Sequence, residues 1–134
     1  MTLQIRVIAP DTIVWDAEAE EIILPSSTGQ LGILTGHIPL LTALDVGVMR
    51  VRIKKEWKPI ILLGGFAEVE NNNITILVNG AEEVEEVNTE EAKNSLERAT
   101  TLVEEATTNK EKIEAIQLLR KAKARIQAAT ILSN

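Results

Sequence analysis

Apolar residues recur with a period of two from residue 3 to about residue 86, and with the period of a helix after it. Leu3, Ile5 and Val7 alternate with Gln4 and Arg6 until Pro10-Asp11 breaks the run. Thr12 to Trp15 is β-branched and aromatic, and Glu21 to Leu24 forms another short apolar segment. Met49, Val51 and Ile53 alternate with Arg50, Arg52 and Lys54, the pattern of a strand with one face in a core and a wet, basic face outside. Lys54-Lys55-Glu56 turns that strand back into Trp57 to Leu63. Gly64-Gly65 then interrupts the pattern, as a bulge or a close backbone approach would. Ala67 and Val69 lead to Asn71-Asn72-Asn73, a hairpin signal because Asn tolerates positive φ. Ile74, Ile76 and Val78 share a face, and Asn79-Gly80 ends the run. Short strands punctuated by turn signals predict a β-sandwich or barrel.

Asn88 to Glu91 reads as a capping box opening a helix. Ala92, Leu96, Ala99, Val103 and Ala106 follow as one apolar stripe, with Glu90, Glu97 and Glu104 off it. Thr107-Thr108-Asn109 stops this helix, and a second is predicted over 110–131, with Ile116, Leu119, Ala122, Ile126 and Ala129 on one side. Both helices are rich in Ala and can approach closely as an antiparallel hairpin. The expected organisation is mixed, β then α: an N-terminal β-sandwich or barrel over 1–86, followed by a C-terminal antiparallel two-helix hairpin over 87–134. Two helices alone make a thin core, so the hairpin is expected to be less stable than the β half and able to dock elsewhere.

Charge is also segregated along the chain, with the break near residue 110, between the two predicted helices. The 134 residues carry a net −6, yet residues 110–134 hold six basic and only two acidic side chains. Arg120, Lys121, Lys123 and Arg125 form the cluster. At ~100° per residue, Lys123 falls between Ile116 and Leu119, inside the predicted apolar stripe. Two readings stay open: a solvated helix face, or a surface that meets an acidic protein.

The composition removes most catalytic chemistry. There is no Cys and no Tyr, and the aromatics are Trp15, Trp57 and Phe66. Disulfides, thiolate metal sites and thiol nucleophiles are excluded, and stacking platforms for single-stranded nucleic acid are missing. The acidic balance argues against a nucleic-acid partner. His37 is the single histidine, so no His/Cys metal site can be completed. Gly29-Gln30-Leu31-Gly32 lacks the Lys-Ser/Thr of a phosphate-binding loop, and Ser26-Ser27 lacks the glycines of a nucleophile elbow. No apolar run is long enough to span a bilayer as a helix, and the opening residues enter a strand pattern at once, with no leader-like composition. The expectation is an interaction or regulatory subunit with no catalytic site and no cofactor.

The stretch Gly29-Gln30-Leu31-Gly32-Ile33-Leu34-Thr35-Gly36-His37-Ile38-Pro39-Leu40-Leu41-Thr42-Ala43-Leu44 resembles the epsilon-subunit family of the F-type ATP synthases. The resemblance continues through Asp45 to Arg52, Gly64 to Val69 and Ile74 to Val78, and the two-helix tail fits the same architecture. Val14-Trp15-Asp16 and Glu20 to Pro25 look like its photosynthetic branch, cyanobacterial or plastid. The resemblance implies a non-catalytic rotor subunit of the central stalk. Its sandwich would pack on the gamma subunit and the c-ring, and its hairpin would restrain ATP hydrolysis at the catalytic beta subunits. Its place would be peripheral on the thylakoid membrane, held there through the complex. By resemblance the loop Ser26 to His37 faces the c-ring, with Gln30 where many relatives are acidic. His37 is then an interface residue, or a loop histidine bonded to its own backbone. Arg120, Lys121, Lys123 and Arg125 would meet the acidic segment of the beta subunits. The alternative function is nucleotide sensing in the cleft between sheet and hairpin. Relatives that bind ATP there carry an Ile/Leu-Asp-x-x-Arg-Ala motif; here it reads Val87-Asn88-Thr89-Glu90-Glu91-Ala92, with a carboxylate in place of the guanidinium. No useful ATP affinity is expected.

Overall fold

A computed structural model describes residues 2–83 and 89–133. The strands are β1 (Leu3–Ala9), β2 (Thr12–Ala19), β3 (Glu21–Ser26), β4 (Gly29–Leu34), β5 (Leu40–Ile53), β6 (Glu56–Glu70), β7 (Asn73–Val78) and β8 (Ala81–Glu83). Helices α1 (Thr89–Glu105) and α2 (Asn109–Ser133) follow. The hydrogen-bonded path is β2-β1-β7-β6-β5-β3-β4, with β8 added to β6. Each pairing is antiparallel except that of β1 with β7. This is a β-sandwich followed by two helices, as the periodicities predict.

The long β5–β6 hairpin runs through both layers. Near its turn, Met49, Val51, Ile60 and Leu62 face the core; at its other end Leu44, Ala67 and Val69 do. The core-facing positions therefore change parity between Leu44 and Met49 on β5, and between Leu62 and Ala67 on β6. Gly64 (φ 83°) and Gly65 (φ 146°) make that change on β6. A β-carbon at Gly65 would fall on the Leu77 carbonyl oxygen. The double glycine is the close backbone approach that the sequence suggested.

One core cluster joins Leu3, Ile5 and Val7 of β1, Ile22 and Leu24 of β3, Ile33 of β4 and Ile74, Ile76 and Val78 of β7 to those β5 and β6 side chains. Among the described residues it draws on strands alone. Lys54-Lys55 and Asn71-Asn72 all adopt positive φ at the tips of their hairpins, the left-handed pairs that match strand twist.

Three features depart from the sequence reading. The segment Ser26 to His37 is not a loop, because it contains β4, and the first half of β5 is also strand. Two glycines and a single buried residue, Ile33, hide the alternation of β4, while the parity change hides that of β5. The basic face of β5 is not simply wet. Arg52 meets Glu20 at 3.1 Å and Glu21 at 3.4 Å and lies over the Trp57 ring, and Arg50 Nε is buried without a hydrogen-bond partner.

The third difference is in α2. Ile116 is 40% exposed, while Ala115, Ala122, Ala124 and Ala128 are buried. Ala122 and Ala124 lie ~200° apart around the helix, so α2 has two buried faces rather than one stripe. Ala115 and Ala122 lie on the side where α2 pairs with α1, whose Ala92 and Ala99 are buried. Ala124 and Ala128 sit on Val48 and Ile61 of the sheet, flanked by Leu63 and Ile131. The hairpin is thus docked on the outer face of the β5–β6 layer. Asn88, the expected cap of α1, lies outside the described residues. The cap of α2 went unanticipated: Thr108 Oγ1 accepts from Glu111 N at 3.1 Å, and the Glu111 carboxylate accepts from Thr107 N at 3.0 Å.

Ile76 is fully buried and its neighbour Thr75 is not. Ile76→Asp is expected to cost several kcal/mol, on the order of the whole stability of a small domain. Thr75→Asp stays on the outer face and is expected to change stability by less than about 1 kcal/mol. Urea denaturation of the two variants checks the register; equal midpoints would mean that Ile76 does not face the core.

Candidate functional site

The structure does not bring Gln30 and His37 together. Gln30 is the second residue of β4 and His37 lies beyond its far end; the four residue steps from Gln30 to Leu34 alone span ~13 Å of strand. Gln30 is exposed, and its Oε1 accepts from Arg50 Nη2 at 2.9 Å. His37 is half-buried, with Nδ1 2.7 Å from the Ile38 carbonyl oxygen and its backbone N–H bonded to Leu34 O. Its ring is bonded to the backbone of the next residue, while the side chains of Ile38 and Leu41 beside it are exposed.

The basic cluster divides in two. Lys121 Nζ lies 3.1 Å from Glu82 Oε1 and Arg125 Nη2 lies 3.2 Å from the same oxygen. Arg120 and Lys123 are exposed and make no ion pair among the described residues. Glu82, on β8, therefore ties α2 to the sheet beside the Ala124–Ala128 seat. Partial burial alone would raise its pKa. Hydrogen bonds from Lys121 and Arg125, with their positive charge, outweigh that and hold the carboxyl below its ordinary value.

The same two cations line a shallow cleft between the helices, together with Arg98, Ala99, Leu102 and Leu118. Of the window expected to decide nucleotide binding, Val87 and Asn88 lie outside the described residues, as do Glu85 and Glu86. An anion entering the cleft has to compete with Glu82 for Lys121 and Arg125.

One surface escaped the sequence reading. Cross-strand partners share a face, and the register lines up Ala43, Phe66, Leu77, Ile8 and Ile13 across five strands. Phe66, Leu77 and Ile13 are 57%, 53% and 56% exposed. The row lies outside the layer of β2, β1, β7 and the second half of β6, away from the face that α2 covers. The sequence signal was faint: apolar residues at both parities of β7 and β1, Leu77 among Ile74, Ile76 and Val78, and Ile8 after Val7.

Family models match the chain from residue 2 to residue 130 in two parts. Residues 2–84 match the ATP synthase delta/epsilon chain beta-sandwich domain, and residues 85–130 match its long alpha-helix domain. The chain belongs to the ATP synthase delta/epsilon family. It is 72% identical over 130 residues to the chloroplastic ATP synthase epsilon chain of Pyropia yezoensis, covering 97% of each chain. It is 59% identical over 132 residues to the epsilon chain of a Cyanothece species, covering 96% of each. A chain in the structure of the Euglena gracilis mitochondrial ATP synthase OSCP/F1/c-ring shares the fold, with TM-score 0.82 at 20% identity, over 96% of this chain and 81% of that one. As an epsilon subunit of the F-type ATP synthase, it is non-catalytic within the complex. No helix among the described residues is long and apolar enough to cross a membrane.

The depressed pKa of Glu82 sets a pH dependence for hairpin docking. Its contribution is fully present above the ordinary value of 4.5 and is lost as pH falls through the lower folded value. Amide NMR shifts of Val48, Ile61, Ala124 and Ala128, followed from about pH 7 down to about pH 3, are expected to report loosening only in acid. Glu82→Gln should remove that step; an identical titration in the variant would show that another group controls it.

Proposed function

We propose that this epsilon subunit is a rotor component of the central stalk. Its sandwich joins the gamma subunit to the c-ring, and its hairpin restrains ATP hydrolysis by meeting the catalytic beta subunits. Residues 1–86 are the docking unit and 87–134 the regulatory unit. In this reading the protein sits peripherally at the thylakoid membrane, on the stromal or cytoplasmic side, held there through its complex.

The observation that carries the docking half is the outer-face row Ile13–Ile8–Leu77–Phe66–Ala43, in which Ile13, Leu77 and Phe66 are more than half exposed. Adjacent large apolar side chains, left in water on one sheet face, suit burial against a partner. The opposite layer already has its cover in α2, so the sandwich has one closed outer face and one open one. The open face is assigned to gamma. Gln30 and His37, at opposite ends of β4, are assigned to the ring and the gamma boundary. Among the described residues the core cluster contains no helix side chain, which supports docking by the sandwich alone.

The restraining half rests on the segregated charge of α2. Exposed pairs contribute only ~0.2–1 kcal/mol each, so one cation hardly holds a rotor; four, partly desolvated against carboxylates, reach a few kcal/mol. Ile113 and Ile116 are exposed on the part of α2 before Arg120, which gives the cluster an apolar margin. The nucleotide-sensing alternative needs an anion to displace Glu82, and nothing in the rotor reading requires one.

Two measurements test this. Phe66→Gln with Leu77→Gln is expected to weaken binding to isolated gamma about 100-fold, ~3 kcal/mol, with the melting temperature nearly unchanged. Unaltered affinity would move the gamma interface elsewhere. Replacing Arg120, Lys121, Lys123 and Arg125 by Ala is expected to raise ATP hydrolysis by the reconstituted soluble complex without loss of the subunit. High salt should act the same way, since the Debye length is only ~3 Å at 1 M. Equal inhibition by both forms at low salt would leave the cluster as a solvated face.

A further inference from the structure

The cluster on α2 already has a carboxylate partner, and that partner is internal. Glu82 Oε1 accepts from Lys121 and Arg125 at 3.1 and 3.2 Å, and its Oε2 lies 3.4 Å from Arg125 Nη2. The three side chains are only about a third exposed, at 35%, 33% and 38%. Lys121 and Arg125, one helical turn apart, flank the seat formed by Ala124 and Ala128 on Val48 and Ile61. Their charged ends therefore point along the sheet toward β8. Arg120 and Lys123 are exposed and bound to nothing among the described residues. While the hairpin is docked, two of the four cations are engaged and two are available.

We infer that Glu82 is an intramolecular decoy for the acidic partner surface: it occupies Lys121 and Arg125 while α2 lies on β5–β6, so that such a surface can engage all four cations only when α2 leaves the sheet. This rests on the proposed pairing of the cluster with acidic segments of the complex. The docked and the engaged arrangements then exclude one another through two shared side chains. The carboxylate on β8 sets how often the hairpin is released, and with it the strength of restraint.

The experiment uses the full chain with Glu82→Gln, and a charge exchange combining Glu82→Lys with Lys121→Glu and Arg125→Glu. In the isolated subunit, hydrogen exchange of α2 amides from residue 121 onward is expected to be three- to tenfold faster in Glu82→Gln, the range set by two partly exposed ion pairs. The charge exchange should return it to the original rate. In the reconstituted complex, Glu82→Gln should inhibit hydrolysis at least twofold more strongly than the native subunit. Unchanged exchange overturns the decoy; the role of the cluster is read separately from the four-Ala variant and would stand. Faster exchange without stronger inhibition, in a complex where the four-Ala variant does relieve inhibition, overturns it as well. Loss of relief in the four-Ala variant would instead remove the acidic-partner reading on which the decoy rests.

Discussion

The space beside the Leu77 carbonyl oxygen admits no side chain at residue 65, and the two-layer body depends on it. β6 must pass that oxygen closely and, in the same few residues, reverse which of its faces looks inward. Gly64 and Gly65 take backbone angles that L side chains rarely adopt, and a hydrophobic run that began with Ile60 and Leu62 inward continues with Ala67 and Val69 inward. β5 changes parity alongside it. One hairpin thereby supplies strands to both layers, and the core closes without a helix.

That closure leaves two outer faces, and the sequence treats them differently. On one, Val48 and Ile61 are buried only because α2 lies over them. On the other, Phe66, Leu77 and Ile13 stay in water. The cover supplied by α2 is thin. Alanines make the seat, so the backbone comes close but little apolar area is involved, and each large side chain covered contributes only ~1.5–3 kcal/mol. Charge at Glu82 then has proportionate influence on whether the helix stays. The interaction that holds the hairpin is therefore small beside the burial that closes the sandwich core.

The sequence disclosed the architecture through its two periods, and several local devices with it: the left-handed Asn71-Asn72 turn, the interruption at Gly64-Gly65, and the inward face of Ile76. Edge strand β4 and the first half of β5 were illegible because alternation marks a strand only where one face is buried and parity is constant. The stripe assigned to α2 failed for a related reason. A helix touching two partners buries two faces, and Ala122 and Ala124 cannot belong to one arc. The candidate site was legible as a basic cluster, but not as a divided one, since Glu82 lies some forty positions earlier. The open apolar row was nearly invisible, because it is assembled one residue per strand from five strands.

The docked helix also has a mechanical character. Its seat and its ion pairs lie between Lys121 and Ala128, toward the C-terminal end, while the turn at Thr107-Thr108 lies at the other end of α2. The intervening stretch from Asn109 to Ala124 is ~23 Å of stiff helix, reinforced along its length by α1. The hairpin is therefore a lever whose fulcrum lies far from its tip. A modest sideways push on the tip by a neighbouring subunit becomes a much larger force at the pairs near the fulcrum, and the direction of that push decides whether α2 is pressed onto the sheet or prised from it.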